Sequence, residues 1–172
     1  MLTVQGPNRS PEETITHMVQ SHQEALLRLC YAYLHDQEAA RDAVQETFLK
    51  AYRRLHSYQG KAAEKTWLTS IAMNVCRDVR RSAWFRFQDR RVTPEMLPIA
   101  AVPASQEDHE ITAAVMNLPV HLREVVLLYY YQELPITEIA PILHITHQAV
   151  SSRLQRARSL LKTTLERSQN DV

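Results

Sequence analysis

Glycine is nearly missing from this chain: two residues in 172. All-β folds with tight hairpins, and glycine-rich loops that cradle phosphates, need more than that, so an all-helical chain is the first expectation. Cysteine is equally scarce. Cys30 and Cys76 both fall inside helical patterns, where a small buried side chain is a better reading than a disulfide or a metal pair. No apolar run reaches the roughly 18 residues that a membrane span requires. The opening MLTVQGPNRSPEE lacks the basic-then-apolar order of a secretory signal. A cytoplasmic protein is expected. Net charge is almost absent too, at +1, and taken alone it excludes no partner.

The distribution of charge says more. Between positions 36 and 46, Asp36, Glu38, Asp42 and Glu46 face only Arg41. Between 50 and 65, Lys50, Arg53, Arg54, Lys61 and Lys65 face only Glu64. Six arginines follow between 77 and 91, then four acids between 110 and 138, then five bases between 153 and 167. Acidic and basic blocks alternate. Basic patches are the footprint of phosphate binding, and acidic ones suit a second, basic partner. For any single block, a solvated helix face is the better reading.

Apolar spacing and turn residues divide the chain. Ser10, Pro11 and Glu13 form a capping box for a helix running to about Leu34. Asp36 caps a second helix, with Val44, Phe48, Tyr52 and Leu55 on one face. Gly60 sits in a loop over 57–63. A third helix runs from about Glu64 to Arg81, with Leu68, Ile71, Ala72, Val75 and Val79 as its buried stripe. Ser70, Asn74, Arg77 and Arg81 then share its outward face. Pro94, Pro98 and Pro103 break all periodicity over 85–105, which reads as a flexible linker. Ser105 with Asp108 opens a helix to about Leu118, and Pro119 begins the next. The expected organisation is two small helical domains, 1–84 and 106–172.

The segment PITEIAPILHITHQAVSSRLQRARSLL, 135–161, is a short apolar helix, a brief break at His144, and a second, basic helix. That is the helix-turn-helix pattern, whose second helix lies in the DNA major groove. Thr146 is placed to cap the second helix. Val150, Leu154, Ala157, Leu161 and Leu165 fall on one buried stripe. Gln148, Ser152, Gln155 and Arg156 point the other way, with Ser151 beside them and Arg153 and Arg158 on the flanks. Amides, hydroxyls and guanidiniums are the groups that bond phosphates and base edges. An amphipathic helical hairpin with no DNA partner fits the same spacing.

Two sets of words carry a family resemblance. Leu118-Pro119, Arg123-Glu124, Glu138-Ile139-Ala140, Leu143-His144-Ile145-Thr146 and the run from Val150 to Arg158 resemble region 4 of the extracytoplasmic-function sigma factors of bacterial RNA polymerase. Val44-Gln45-Glu46-Thr47-Phe48, Thr66-Trp67-Leu68 and Ile71-Ala72 with Asn74 resemble region 2 of that family. The resemblance implies a factor that binds core polymerase, recognises the −35 and −10 promoter elements and promotes strand opening, in a stress or envelope response.

By the resemblance, Gln148, Ser151, Ser152, Arg153 and Arg156 contact duplex −35 DNA, with Arg158 and Lys162 on phosphates. Trp67, Ser70, Asn74, Arg77 and Arg81, with Lys65 and the loop residues Tyr58, Gln59, Gly60 and Lys61, capture the melted −10 strand. Aromatics stack on unpaired bases and arginines track the backbone, and Asn74 is the expected reader of a flipped base. Asp42, Gln45, Glu46 and Leu49 dock on the clamp helices of the polymerase β′ subunit, and the β flap is a second contact. An anti-sigma factor is a further implied partner. No cofactor, metal or small-molecule substrate is expected.

Three positions depart from the family pattern. His144 replaces a turn glycine, Pro141 interrupts the first helix of the motif and is expected to kink or shorten it, and Ser151 stands where lysine is common. A conventional helix-turn-helix regulator, dimeric on a palindromic site, is the alternative. An enzyme is not expected: no acid/base pair, phosphate loop or nucleophile motif occurs, and His144 with His147 lacks a third metal ligand.

Overall fold

The structure, a computed structural model, describes residues 9–82 and 106–170, and of the helical positions 106–109 and 168–170 only the backbone. The expected linker, 85–105, and the Ser105–Asp108 capping box lie outside the described residues or side chains. Seven α-helices form, and no strand occurs among the described residues.

The first domain is a three-helix bundle. Helix α1, Pro11–Leu34, opens with the full capping box: the Glu13 amide donates to Ser10 Oγ and the Ser10 amide to the Glu13 carboxylate. Helix α2, Gln37–Arg54, starts where the Ala39 amide donates to the Asp36 carboxylate at 2.8 Å. Helix α3, Glu64–Arg81, follows the loop in which Gly60 takes a positive φ of 67°, a conformation glycine adopts without steric cost. Leu68, Ile71, Ala72 and Val75 are buried, as the spacing requires. Thr69, Met73 and Cys76 are buried as well, so α3 hides a second stripe. Tyr52 departs from its expected core position. It is 44% exposed and its hydroxyl donates to Glu12 on α1, because the buried stripe of α2 continues through Thr47 and Ala51 instead.

The second domain contains α4, Gln106–Met116, α5, Val120–Val126, α6, Ile136–Leu143, and α7, His147–Asn170. Between α5 and α6 the chain makes a π-helical turn over Leu127–Tyr131, closed by the Gln132 amide on the Leu127 carbonyl. The α6–α7 turn is a Schellman motif. Ile145 N–H donates to the Ala140 carbonyl and His144 N–H to that of Pro141, with His144 left-handed at φ 56°. Pro141 sits in the last turn of an eight-residue helix. It deprives the Thr137 carbonyl of its usual donor where the helix is about to end. The Ala149 amide donates to Thr146 Oγ1, as the cap requires. Val150, Leu154 and Ala157 are fully buried and Leu161 and Leu165 half-buried.

The two bundles pack against each other. One buried apolar cluster runs from α1, α2 and α3 into α5, α6 and α7. Helix α3 touches α6, and α1 touches α5.

Candidate nucleic-acid interface

Helix α7 presents its first turns to solvent. Gln148, Ser151, Ser152, Gln155 and Arg156 are exposed, on the side opposite the buried stripe. They follow a motif whose turn and cap are fixed by backbone hydrogen bonds, so the polar face is held rigidly. Two of the expected DNA contacts have protein partners instead. Arg153 is half-buried and donates to Glu124 at 3.0 Å. Arg158 donates through Nε to the Tyr130 hydroxyl at 2.7 Å and lies over the rings of Tyr129 and Tyr130. Lys162 is exposed, one turn from Glu166 at 3.9 Å.

Around the start of α3, Tyr58 and Trp67 stack on each other with centroids 4.5 Å apart. The Tyr58 hydroxyl donates to the Ala62 carbonyl at 2.6 Å and pins the loop that carries Gln59, Gly60 and Lys61, all exposed. Burial, then the charge of Glu64, pushes the Tyr58 phenol above its ordinary value, so it stays a neutral donor. Trp67 is half-buried against the core, and one ring face is already covered by Tyr58. Lys65, Ser70 and Asn74 are half-buried. Arg81 is exposed beside Asp78.

Arg77 does not face solvent as the helical wheel of α3 alone implies. The second domain covers it. Its Nη1 donates to the Leu143 carbonyl at 3.2 Å, in the helix-turn-helix turn, and its Nη2 to Glu124 Oε1 at 3.1 Å. Glu124, almost wholly buried, therefore accepts on one oxygen from Arg77 of the first domain and Arg153 of the second. Thr66 Oγ1 adds a 2.9 Å bond to Glu138 on α6.

Arg123 is buried beside this cluster without a carboxylate of its own. Its guanidinium donates to the carbonyls of Met116 and Leu118, at the end of α4, and to that of Tyr33, near the end of α1. Helix C-termini carry partial negative charge, and a cation satisfies two of them here. Burial, then the nearby Arg80 charge, brings Arg123 down to about 10, so it remains protonated at neutral pH.

On the far side of the first domain, Asp42, Gln45 and Leu49 are exposed on α2, while Glu46 pairs with Lys50 at 3.8 Å. Gln45 and Leu49 border a groove of about 850 Å³ between α1 and α2, lined also by Ile15, Val19, Phe48 and Tyr52. The α1 half of this groove was not anticipated. Ile15 and Val19, one turn apart at the start of α1, were its signal. No described group of His, Cys, Asp and Glu residues could hold a metal ion.

Two helical bundles, one carrying a helix-turn-helix with an exposed polar face, define a two-domain DNA-binding protein. The chain matches the family descriptions "Sigma-70 region 2" over 18–86 and "Sigma-70, region 4" over 108–161. The ECF RNA polymerase sigma factor SigM of Bacillus subtilis is 31% identical over 92% of this chain and 99% of its own length. SigL of Mycobacterium tuberculosis is 30% identical over 96% and 97%. The "RNA polymerase sigma-H factor" of Pseudomonas aeruginosa is 27% identical over 95% and 92%.

Two solved structures share the fold. CnrH, in complex with the cytosolic domain of CnrY, superposes with a TM-score of 0.66 at 24% identity, covering 90% of this chain and 89% of that one. The Bartonella quintana sigma factor RpoE, in complex with the anti-sigma factor NepR, gives 0.67 at 23%, covering 88% and 98%.

The chain belongs to the extracytoplasmic-function sigma factors of the sigma-70 family. It acts as an RNA polymerase sigma factor, and the family matches do not favour a conventional helix-turn-helix regulator.

Proposed function

We propose that the work of this sigma factor is divided among three surfaces. The exposed face of α7, from Gln148 to Arg156, reads the −35 element in the major groove, where a guanidinium bidentate to guanine discriminates sequence. The loop over 57–63 and the outward side of α3 hold the melted −10 strand, with Asn74 reading the flipped base. The α2 surface formed by Asp42, Gln45, Glu46 and Leu49 docks on the clamp helices of β′, with the β flap contacting the second domain. The domain division at 1–84 and 106–172 serves that separation of tasks. The protein performs no covalent chemistry. It works in the cytoplasm with the polymerase, and an anti-sigma factor restrains it, as NepR accompanies RpoE in the related complex.

What supports this reading most is the polar start of α7 behind a capped turn, with Gln148, Ser151, Ser152, Gln155 and Arg156 exposed. It is tested by gel filtration with core RNA polymerase at moderate salt. A one-to-one complex is expected, lost when Asp42 and Glu46 are both replaced by lysine. Persistence of the complex in that variant would move the docking surface elsewhere.

A further inference from the structure

Between the domains lies an open cleft of about 690 Å³. Its charged lining is uneven: Arg77, Arg80 and Arg153 have a single lining carboxylate, Glu124, while Arg81 pairs with Asp78 on its own helix. Arg77 and Arg153 already share one oxygen of that carboxylate. Arg80 gets none of it. One terminal nitrogen of its guanidinium, Nη1, is shut away from water with no acceptor in reach, and the guanidinium carbon lies 5.9 Å from the centre of the Tyr33 ring. Its charge also weighs against the buried Arg123 guanidinium. The closed arrangement of the domains thus gathers more positive charge along this cleft than its one lining carboxylate neutralises.

The geometry points to this cleft as a binding site for a small polyphosphate anion, of the size of pyrophosphate or the diphosphate of a nucleotide, held between Arg77 and Arg80 of α3 and Arg153 of α7. Guanidinium forks match phosphate oxygens bidentately, and the volume lies in the ordinary range for small-ligand sites. A phosphate oxygen supplies the acceptor that Arg80 lacks after a small rotation of its guanidinium. Because the arginines come from both domains, the anion braces the closed arrangement. Arg77 and Arg153 belong to the proposed promoter-binding set, so a bound anion competes with DNA; that consequence, unlike the binding itself, rests on the proposed function.

The test is isothermal titration of the full chain with pyrophosphate, against sodium chloride of matched ionic strength. One site per chain is expected, weakened at least tenfold by Arg80→Met, with a thermal midpoint raised by pyrophosphate in the native chain only. Arg80→Lys keeps the charge but loses the fork, and several-fold weaker binding is expected from it; it serves alone if the methionine variant does not fold by circular dichroism. No heat beyond the salt control, several weak sites, or equal binding by the native chain and the folded variants would overturn the proposal. So would a single-stranded oligonucleotide that binds through Arg80 while pyrophosphate does not, since the cleft would then serve the polynucleotide alone.

Discussion

Replacing Glu124 by alanine removes the one acceptor shared by Arg77 and Arg153. The Glu124 side chain is 4% exposed, against 19% for Arg77 and 28% for Arg153. Breaking a buried ion pair by deleting one partner costs about 3–5 kcal/mol, because the remaining charge is stranded. Both arginines reach some water, which places the expected loss at the lower end, about 3 kcal/mol. Arg77→Ala leaves Glu124 with Arg153 and removes two hydrogen bonds across the domains, to Glu124 and to the Leu143 carbonyl, of which the one to the carboxylate is worth about 1.5–3 kcal/mol. Urea unfolding of the native chain, both single variants and the double variant completes the cycle. Contacting residues of one network should couple by roughly 0.5–3 kcal/mol. A Glu124→Ala chain within about 0.5 kcal/mol of the native one would refute the reasoning, as such small changes are typical of surface sites. Additive single losses would show that Arg77 and Glu124 do not meet in solution.

Arg156→Ala should weaken binding of the polymerase holoenzyme to duplex −35 DNA by about 1–3 kcal/mol if the guanidinium reads a base, whereas Asn74→Ala should spare the duplex and weaken capture of single-stranded −10 DNA; filter binding on the two templates separates them, and equal losses on both would indicate misfolding. A hydrogen bond with Cys30, then burial, holds the Cys76 thiol well above its ordinary value of 9.0. Folded and unfolded chains are both protonated below that value, so stability is full there and falls above about pH 9 by up to about 1.4 kcal/mol per pH unit; the decline should be smaller in Cys76→Ala, as urea midpoints at pH 8 and pH 10 will show. His144→Gly should stabilise by about 1 kcal/mol, since the left-handed backbone penalises any side chain but suits glycine, and a lower urea midpoint would mean that the imidazole makes a contact worth more than the strain.

Local signals were read correctly where the physics is local. The Ser10 box, the Asp36 and Thr146 caps and the His144 turn each depend on residues within about four positions, and each forms. The buried stripe of α7 follows from spacing alone. Position on a helical wheel, however, says only that a residue points away from one neighbour. Arg77 points away from α1 and α2, yet the second domain waits on that side. Cys30 and Cys76 meet from α1 and α3, a contact no spacing rule reaches. The π-turn in Leu127–Tyr131 was invisible because an apolar run fits either helix type, and the partner of Arg158 was hidden with it. The second buried stripe of α3, at 69, 73 and 76, was present in the spacing. It was obscured because threonine seldom marks a core.

The adjacent residues Arg123 and Glu124 gather these strands. They are the family's Arg-Glu word, and in one peptide step they place a cation and an anion at the junction of the two bundles. Arg123 ties the ends of α1 and α4, and Glu124 ties α3 to α7. An interface sealed only by apolar contacts would open at the full cost of exposing that surface. This interface joins a shared apolar cluster to charged groups, and for the charged share alone the opening cost is lower, because water or a phosphate can replace each lost hydrogen bond. Arg77 and Arg153 share Glu124 when the domains are together; if they also bind nucleic acid, as proposed, the two partners exclude each other. Two residues of the proposed promoter-binding set, Arg77 and Arg153, also close the fold on Glu124, so under that proposal domain separation and DNA binding compete for the same two guanidiniums.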